Sequence, residues 1–204
     1  MEFRAVTEAD VDAVTDTIRL AFMDDPVWGP CLVRPDGGTD HLDPFWRLYV
    51  EGGMRFSTAF VTGEVGGIAE AVAVWTPPGE TELSDEQEEE LERLVDDTFP
   101  SDLAARMFEL FDRFEAAHPR GTPHAYLGLL ATHPDHRGQG IGQQLLAATL
   151  ADWDAHGVPS YLESTNPANL HRYRRAGFES AGTFDAVLDD AIITTMWRAG
   201  PASA

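Results

Sequence analysis

Helical and strand-like hydrophobic patterns alternate along most of this chain. Phe3-Arg-Ala-Val6 reads as a first strand. Thr7 then stands as a helix cap with Asp10 at the capping-box position, and Val11, Val14, Ile18, Leu20, Ala21 and Phe22 supply an apolar face. Asp24-Asp25-Pro26 ends that helix, because the residue before a proline avoids the α region. The run FWRLYVEGGM, Phe45 to Met54, predicts a second helix that stops at its glycine pair. Residues 57–62 and 69–76 predict two antiparallel strands joined near Gly66-Gly67, the second stopped by Pro77-Pro78-Gly79. An acidic helix is expected from Gln87 to Asp97 behind a capping box at Ser84–Gln87. Ser101 caps another helix, whose apolar stripe is Leu103, Met107, Leu110, Phe111 and Phe114. This helical pair, residues 84–118, can pack on its own core, cover a ligand site or form a dimer face.

The C-terminal half carries the chemistry. His124 to Ala131 (HAYLGLLA) is an apolar run that reads as a buried strand. Ile141, Leu145, Leu146, Ala148, Thr149, Leu150 and Trp153 recur at helical spacing. Between them lies HPDHRGQGIG, residues 133–142, so a strand enters a glycine-rich loop and the loop opens a helix. Gly138, Gly140 and Gly142 let the main chain turn sharply and approach a ligand. The first N–H groups of a helix lack partners within it, and the dipole there is positive, so an anion fits such an end. A P-loop is excluded because the sequence contains no lysine, and the dinucleotide pattern GxGxxG is not matched. What does stand here is R-x-x-G-x-G, from Arg137 to Gly142. Downstream, residues 161–164 read as a short strand, followed by Thr165-Asn-Pro-Ala-Asn169 and a helix through Tyr173 that ends at Gly177-Phe178. Gly177 suits the left-handed position after a helix. Glu179 to Asp185 and Ala191 to Arg198 read as a closing hairpin through Leu188-Asp-Asp190.

The Arg137–Gly142 loop and the Asn169–Tyr173–Gly177-Phe178 segment, in this order and spacing, resemble the two signature segments of the GNAT superfamily of N-acetyltransferases. The resemblance covers residues 120–198 well and the N-terminal part more loosely. It implies an α/β (α+β) fold, with a mixed central sheet splayed around an acetyl-CoA cleft and helices on both faces. It also implies an enzyme that moves acetyl from acetyl-CoA to a primary amine by direct attack, through a tetrahedral intermediate. By position, the amides of Gly138, Gln139, Gly140, Ile141, Gly142 and Gln143 would face the diphosphate, with Arg137 adding charge. Main-chain groups near Leu130 and Ala131 would serve the thioester, Asn169 the pantetheine arm, and Tyr173 the departing thiolate as general acid.

The base is less determined. The strand before the loop has no acid, which leaves Glu163, then Asp24, then His124, or deprotonation by water. Helix termination, local hydrogen bonding and strand-end packing are the structural alternatives for these side chains. Ala21-Phe-Met-Asp-Asp-Pro26, Trp75-Thr-Pro-Pro-Gly79 and Leu162-Glu-Ser-Thr165 are similar to segments of a subgroup that includes puromycin-type antibiotic acetyltransferases. Asp25, Trp28, Trp75 and His124 are candidates for contact with a small-molecule amine. A protein or peptide acceptor, and a non-catalytic acyl-CoA-binding module, are the competing readings.

Composition narrows the field. The formal net charge of −21 argues against binding a nucleic-acid backbone and is compatible with attracting a cationic amine. No apolar run reaches the roughly 18 residues that a membrane span needs. The charged start, MEFRAVTEAD, has no secretory h-region, so a cytoplasmic protein is expected. The single cysteine, Cys31, reads as a packed thiol more readily than as a nucleophile. His133 and His136 flank Pro134-Asp135 without metal-ligand spacing, so no metal is expected. No linker or repeat is visible and 204 residues suit one domain; exposed strand edges and the Phe-rich helix are compatible with a homodimer.

Overall fold

The computed structural model describes residues 3–187 and 190–201. Seven strands form one open sheet: β1 (Arg4–Ala5), β2 (Ala59–Thr62), β3 (Ala71–Thr76), β4 (Ala125–Thr132), β5 (Ser160–Ser164), β6 (Glu179–Asp185) and β7 (Ile192–Arg198), in the spatial order β1-β2-β3-β4-β5-β7-β6. Only β4 and β5 run parallel; every other neighbouring pair is antiparallel. The hairpin expected at the C-terminus is β6–β7, although Leu188 and Asp189 of its turn lie outside the described residues.

Helices cover both faces. α1 (Val11–Phe22), α2 (Trp28–Leu32) and α3 (Leu42–Met54) share a core with Val72, Val74, Leu129 and Ala131. α4 (Asp85–Thr98) and α5 (Ser101–Ala117) extend that core through Leu91, Val95, Met107 and Leu110. On the opposite face, α6 (Ile141–Ala155) and α7 (Leu170–Arg175) pack on Ala71, Ala73, Trp75 and Leu127. β3 is therefore buried along its whole length, as a central strand covered from both sides must be. Full burial of one large apolar side chain in either core contributes about 2–3 kcal/mol.

Local chemistry sets the element ends. Asp10 accepts from the Thr7 amide (3.0 Å) and hydroxyl (2.6 Å) and takes both Arg4 guanidinium nitrogens, which ties β1 to the start of α1. The Ser84 box closes in both directions, and Gln87 also donates to the Leu48 carbonyl at 3.2 Å, joining α4 to α3. The second helix ends at Met54, just past its glycine pair, as expected, but starts at Leu42, three residues before Phe45. The glycine pair also allows close approach. A Cβ at Gly52 would lie 2.1 Å from the Glu82 carbonyl oxygen, and one at Gly53 would lie 2.5 Å from Val74.

Candidate active site

β4 and β5 pair only at Ala125–Ser160 and Tyr126–Tyr161, and then separate. Beyond Tyr126, the edge of β4 that faces β5 has no strand partner. The register of β4 against β3 slips by one residue at the same place: Val74 sits opposite Leu129, but Trp75 sits opposite Leu127, leaving Gly128 as an extra residue. A bulge of this kind reverses the in–out alternation and bends the strand. Leu127 accordingly packs towards α6, whereas Leu129 and Ala131 pack towards α1 and α3. The fork opens into a cavity of about 980 Å³.

The glycine loop lies beyond the fork. Gly138 (φ 80°) and Gly140 (φ 77°) adopt left-handed backbone conformations, and α6 starts immediately after Gly140. Among the described residues, no acceptor takes the N–H groups of residues 138–143. Arg137 is exposed beside them. Gly142 brings the helix start against β4, since a Cβ there would lie 2.4 Å from the Thr132 hydroxyl oxygen. Six free amides, a helix dipole and a guanidinium form a fitting cradle for the diphosphate of a coenzyme.

Glu163 projects from β5 into the fork. Its side chain is 2% exposed, and its Oε2 atom has no hydrogen-bond partner among the described residues. Burial pushes its carboxyl up to about 7, while the nearby Tyr161 and Tyr126 hydroxyls act in the opposite direction. His118, just after α5, places Nδ1 3.9 Å from Glu163 Oε1. Glu82, in the loop after β3, enters from above; burial, and secondly the Glu163 charge, push it up to about 8. Tyr173 on α7 lines the same cavity, and burial, with the neighbouring Asp25 charge, pushes its phenol up to about 12. The phenol thus keeps its proton at neutral pH. Phe108, Phe111 and Phe114 of α5, with Trp28 and Tyr49, give the cavity an aromatic wall.

The expected residues do not all converge here. Leu130, Asn169, Trp28, His124, Asp25, Glu163 and Tyr173 line the cavity. Asp25 is occupied, however: Oδ1 accepts from the Val27 (2.9 Å) and Trp28 (3.1 Å) amides, and Oδ2 accepts from the Thr165 hydroxyl at 2.8 Å. It caps α2 and clamps it to the end of β5, so a free substrate contact is not what it offers. Asp24 is exposed and outside the cavity wall, because the chain turns away after α1. Trp75 is fully buried on the α6 face, 6.0 Å from Trp153, and does not reach the cavity. Ala131 packs its side chain into the α1–α3 core. Asn169 Oδ1 accepts from Arg172 at 2.6 Å, leaving its amide nitrogen for other partners. Cys31 is buried, which pushes its thiol up to about 12 and keeps it from acting as a nucleophile.

Residues 107–180 match the family model described as acetyltransferase (GNAT) domain. The chain carries a GNAT acetyltransferase domain. A GNAT domain uses acetyl-CoA as acetyl donor, and the protein is accordingly a transferase. Solved structures agree over nearly the whole chain. One, described as histone acetyltransferase HPA2 and related acetyltransferase from Corynebacterium glutamicum, shares 26% identity at a TM-score of 0.70, covering 99% of this chain and 97% of that one. An agmatine N-acetyltransferase mutant shares 15% identity at TM-score 0.67, and arylalkylamine N-acetyltransferase 2 from Aedes aegypti shares 14% at 0.66; each match covers 97% of this chain and 98% of the other.

Glu82, His118 and Tyr126 escaped the sequence reading. Glu82 and His118 lie outside the signature segments and reach the fork only through the loop after β3 and the end of α5.

Proposed function

We propose that this protein transfers the acetyl group of acetyl-CoA to the primary amine of a small molecule, with Glu163 as base and Tyr173 as acid. The observation that carries this reading is the buried Glu163 carboxyl, whose unpartnered oxygen lies in an aromatic-walled cavity at the strand fork. An ammonium group complements such an oxygen. A carboxyl near pH 7 is ionised often enough to take the ammonium proton, which frees the amine to attack the thioester carbonyl. Main-chain N–H groups on the unpaired edge of β4, near Leu129 to Ala131, can stabilise the charge that develops on the carbonyl oxygen. The neutral Tyr173 hydroxyl then gives its proton to the departing sulfur, and the phenolate is restored by the second proton of the attacking nitrogen, which is shed as the C–S bond breaks and the amide forms. The amides of residues 138–143 and Arg137 hold the diphosphate, and Asn169 orients the pantetheine arm.

Cavity size supports a small acceptor, since such sites occupy roughly 300–1,000 Å³. The GNAT-fold proteins that share this architecture include ones named for agmatine and for arylalkylamines. The segments around Ala21–Pro26 and Leu162–Thr165 add puromycin-type aminonucleosides to the candidate acceptors. The test follows thiol release from acetyl-CoA with puromycin, tyramine, agmatine, spermidine and a set of basic peptides. Turnover of an amine but not of the peptides is expected. Turnover of peptides alone would replace the acceptor class.

A further inference from the structure

We propose that His118 is a directional proton exit for Glu163, held in the required tautomer by His124 and the Thr122 carbonyl. This rests on Glu163 being the base. The direction follows from three contacts. His124 Nδ1 lies 2.7 Å from the Thr122 carbonyl oxygen. A carbonyl can only accept, so Nδ1 carries the hydrogen, and a neutral His124 leaves Nε2 bare. His124 Nε2 lies 3.1 Å from His118 Nε2, so the hydrogen between them belongs to His118. A neutral His118 with Nε2–H has a bare Nδ1, and this is the atom that faces Glu163 Oε1 at 3.9 Å. One backbone carbonyl thus presents a lone pair to the carboxyl that has just received the ammonium proton.

The groups around the pair agree with this arrangement. Tyr126 of β4 and Tyr161 of β5 set their rings edge-on to His118, at 4.9 and 5.1 Å. Glu115 and Arg120, from the chain on either side of His118, carry opposite charges and pull it in opposite directions. Burial, and secondly His124, lower His118 to about 4, so at neutral pH it is uncharged with Nδ1 bare, and the proton it takes from Glu163, an uphill transfer, is passed on at once. The Tyr161 hydroxyl is directed to the Ala117 carbonyl at 3.3 Å, which fixes the end of α5 beside the fork. In the relay, the Glu163 O–H bond breaks as the His118 Nδ1–H bond forms. The same proton then passes to water, since about a third (32%) of the His118 side chain is open to solvent. A gap of 3.9 Å is crossed by a small closing movement or through one water. Glu163 is then ionised again for the next amine.

Two measurements on the full chain test this. Long-range ¹H–¹⁵N correlation at pH 7 is expected to show His118 as the Nε2–H tautomer and His124 as the Nδ1–H tautomer; the opposite pair, or a doubly protonated His118, overturns the proposal whatever the kinetics show. With the amine turned over fastest, His118→Gln is expected to lower kcat about ten-fold, below the 10²–10⁴ of direct proton transfer, with the KM for acetyl-CoA unchanged. Added imidazole is expected to restore His118→Ala. If Glu163→Gln is impaired while His118→Gln matches the wild type at every pH, the base stands and the relay falls. If Glu163→Gln is fully active, the base itself falls and the relay with it.

Discussion

The carboxyl group of Glu82 occupies the space where a side chain at position 128 would be: a Cβ on Gly128 would lie 2.2 Å from Glu82 Oε1. The extra residue of the β4 bulge therefore has to be glycine if Glu82 is to enter the fork. The obstacle in Gly128→Ala is the mobile end of a side chain, so the fold is expected to survive with a melting temperature within about 3 °C, the equivalent of less than ~1 kcal/mol. Displacing this carboxyl group from the fork is expected to cost kcat/KM for the amine several-fold. Circular dichroism melts alongside steady-state kinetics check this, and an unaltered kcat/KM would remove Glu82 from the site.

Gly52→Ala meets main chain instead. Its Cβ would lie 2.1 Å from the Glu82 carbonyl oxygen, which cannot swing aside. Overpacking of this kind costs typically about 1–3 kcal/mol. A melting temperature lowered by several degrees is expected, read from thermal unfolding.

How much of this was legible beforehand follows from where each residue sits. The strand–loop–helix of residues 124–155 and the Tyr173 helix could be read because each is a contiguous pattern whose geometry is local. Trp75 was misplaced because β3 is apolar on both faces, so alternation gave no direction, and the Gly128 bulge beside it is a property of strand pairing. α2 was missed because five residues, WGPCL, carry too little periodicity. His118 and Glu82 meet Glu163 only after the sheet has formed, and no spacing rule connects positions 82, 118 and 163.

Tyr173→Phe removes only the hydroxyl. The ring packs against Phe178 (centroids 6.1 Å apart), so the fold should be kept. If the hydroxyl protonates the leaving thiolate, kcat falls by about 10² while the KM for acetyl-CoA changes little. Steady-state kinetics at saturating amine check this; an unaltered kcat takes Tyr173 out of the chemistry.

The raised Glu163 carboxyl makes stability depend on pH. The folded protein holds this proton up to about pH 7, whereas the unfolded chain releases it near its ordinary value of 4.5. The stabilisation is therefore complete below about pH 4.5 and lost as pH rises through about 7. Glu163→Gln carries no charge in either state. Its melting temperature is expected to exceed the wild type by roughly 5 °C at pH 8, on the order of 2 kcal/mol, and to match it near pH 4.5. Calorimetry at the two pH values decides, and equal differences at both would contradict the burial of this charge.

Asp25 separates a structural from a substrate role by the kind of damage its loss does. All three of its hydrogen bonds go to the protein, from the Val27 and Trp28 amides and the Thr165 hydroxyl. The last of these joins positions 140 residues apart and holds α2 against the end of β5. Asp25→Ala leaves those donors without an acceptor in a buried place, where hydrogen bonds to a charged group are worth about 1.5–3 kcal/mol each. Because Trp28 stacks on Phe114 (centroids 5.7 Å apart, planes within 10°), loosening α2 also loosens the aromatic wall. The expected result is a melting temperature lowered by about 10 °C or more, with amine KM raised modestly and kcat within about three-fold of wild type. Asp25→Asn keeps the acceptor Oδ1 for the two amides and should recover most of the stability. A variant that melts like the wild type but loses amine binding would show that Asp25 holds the substrate and not the fork.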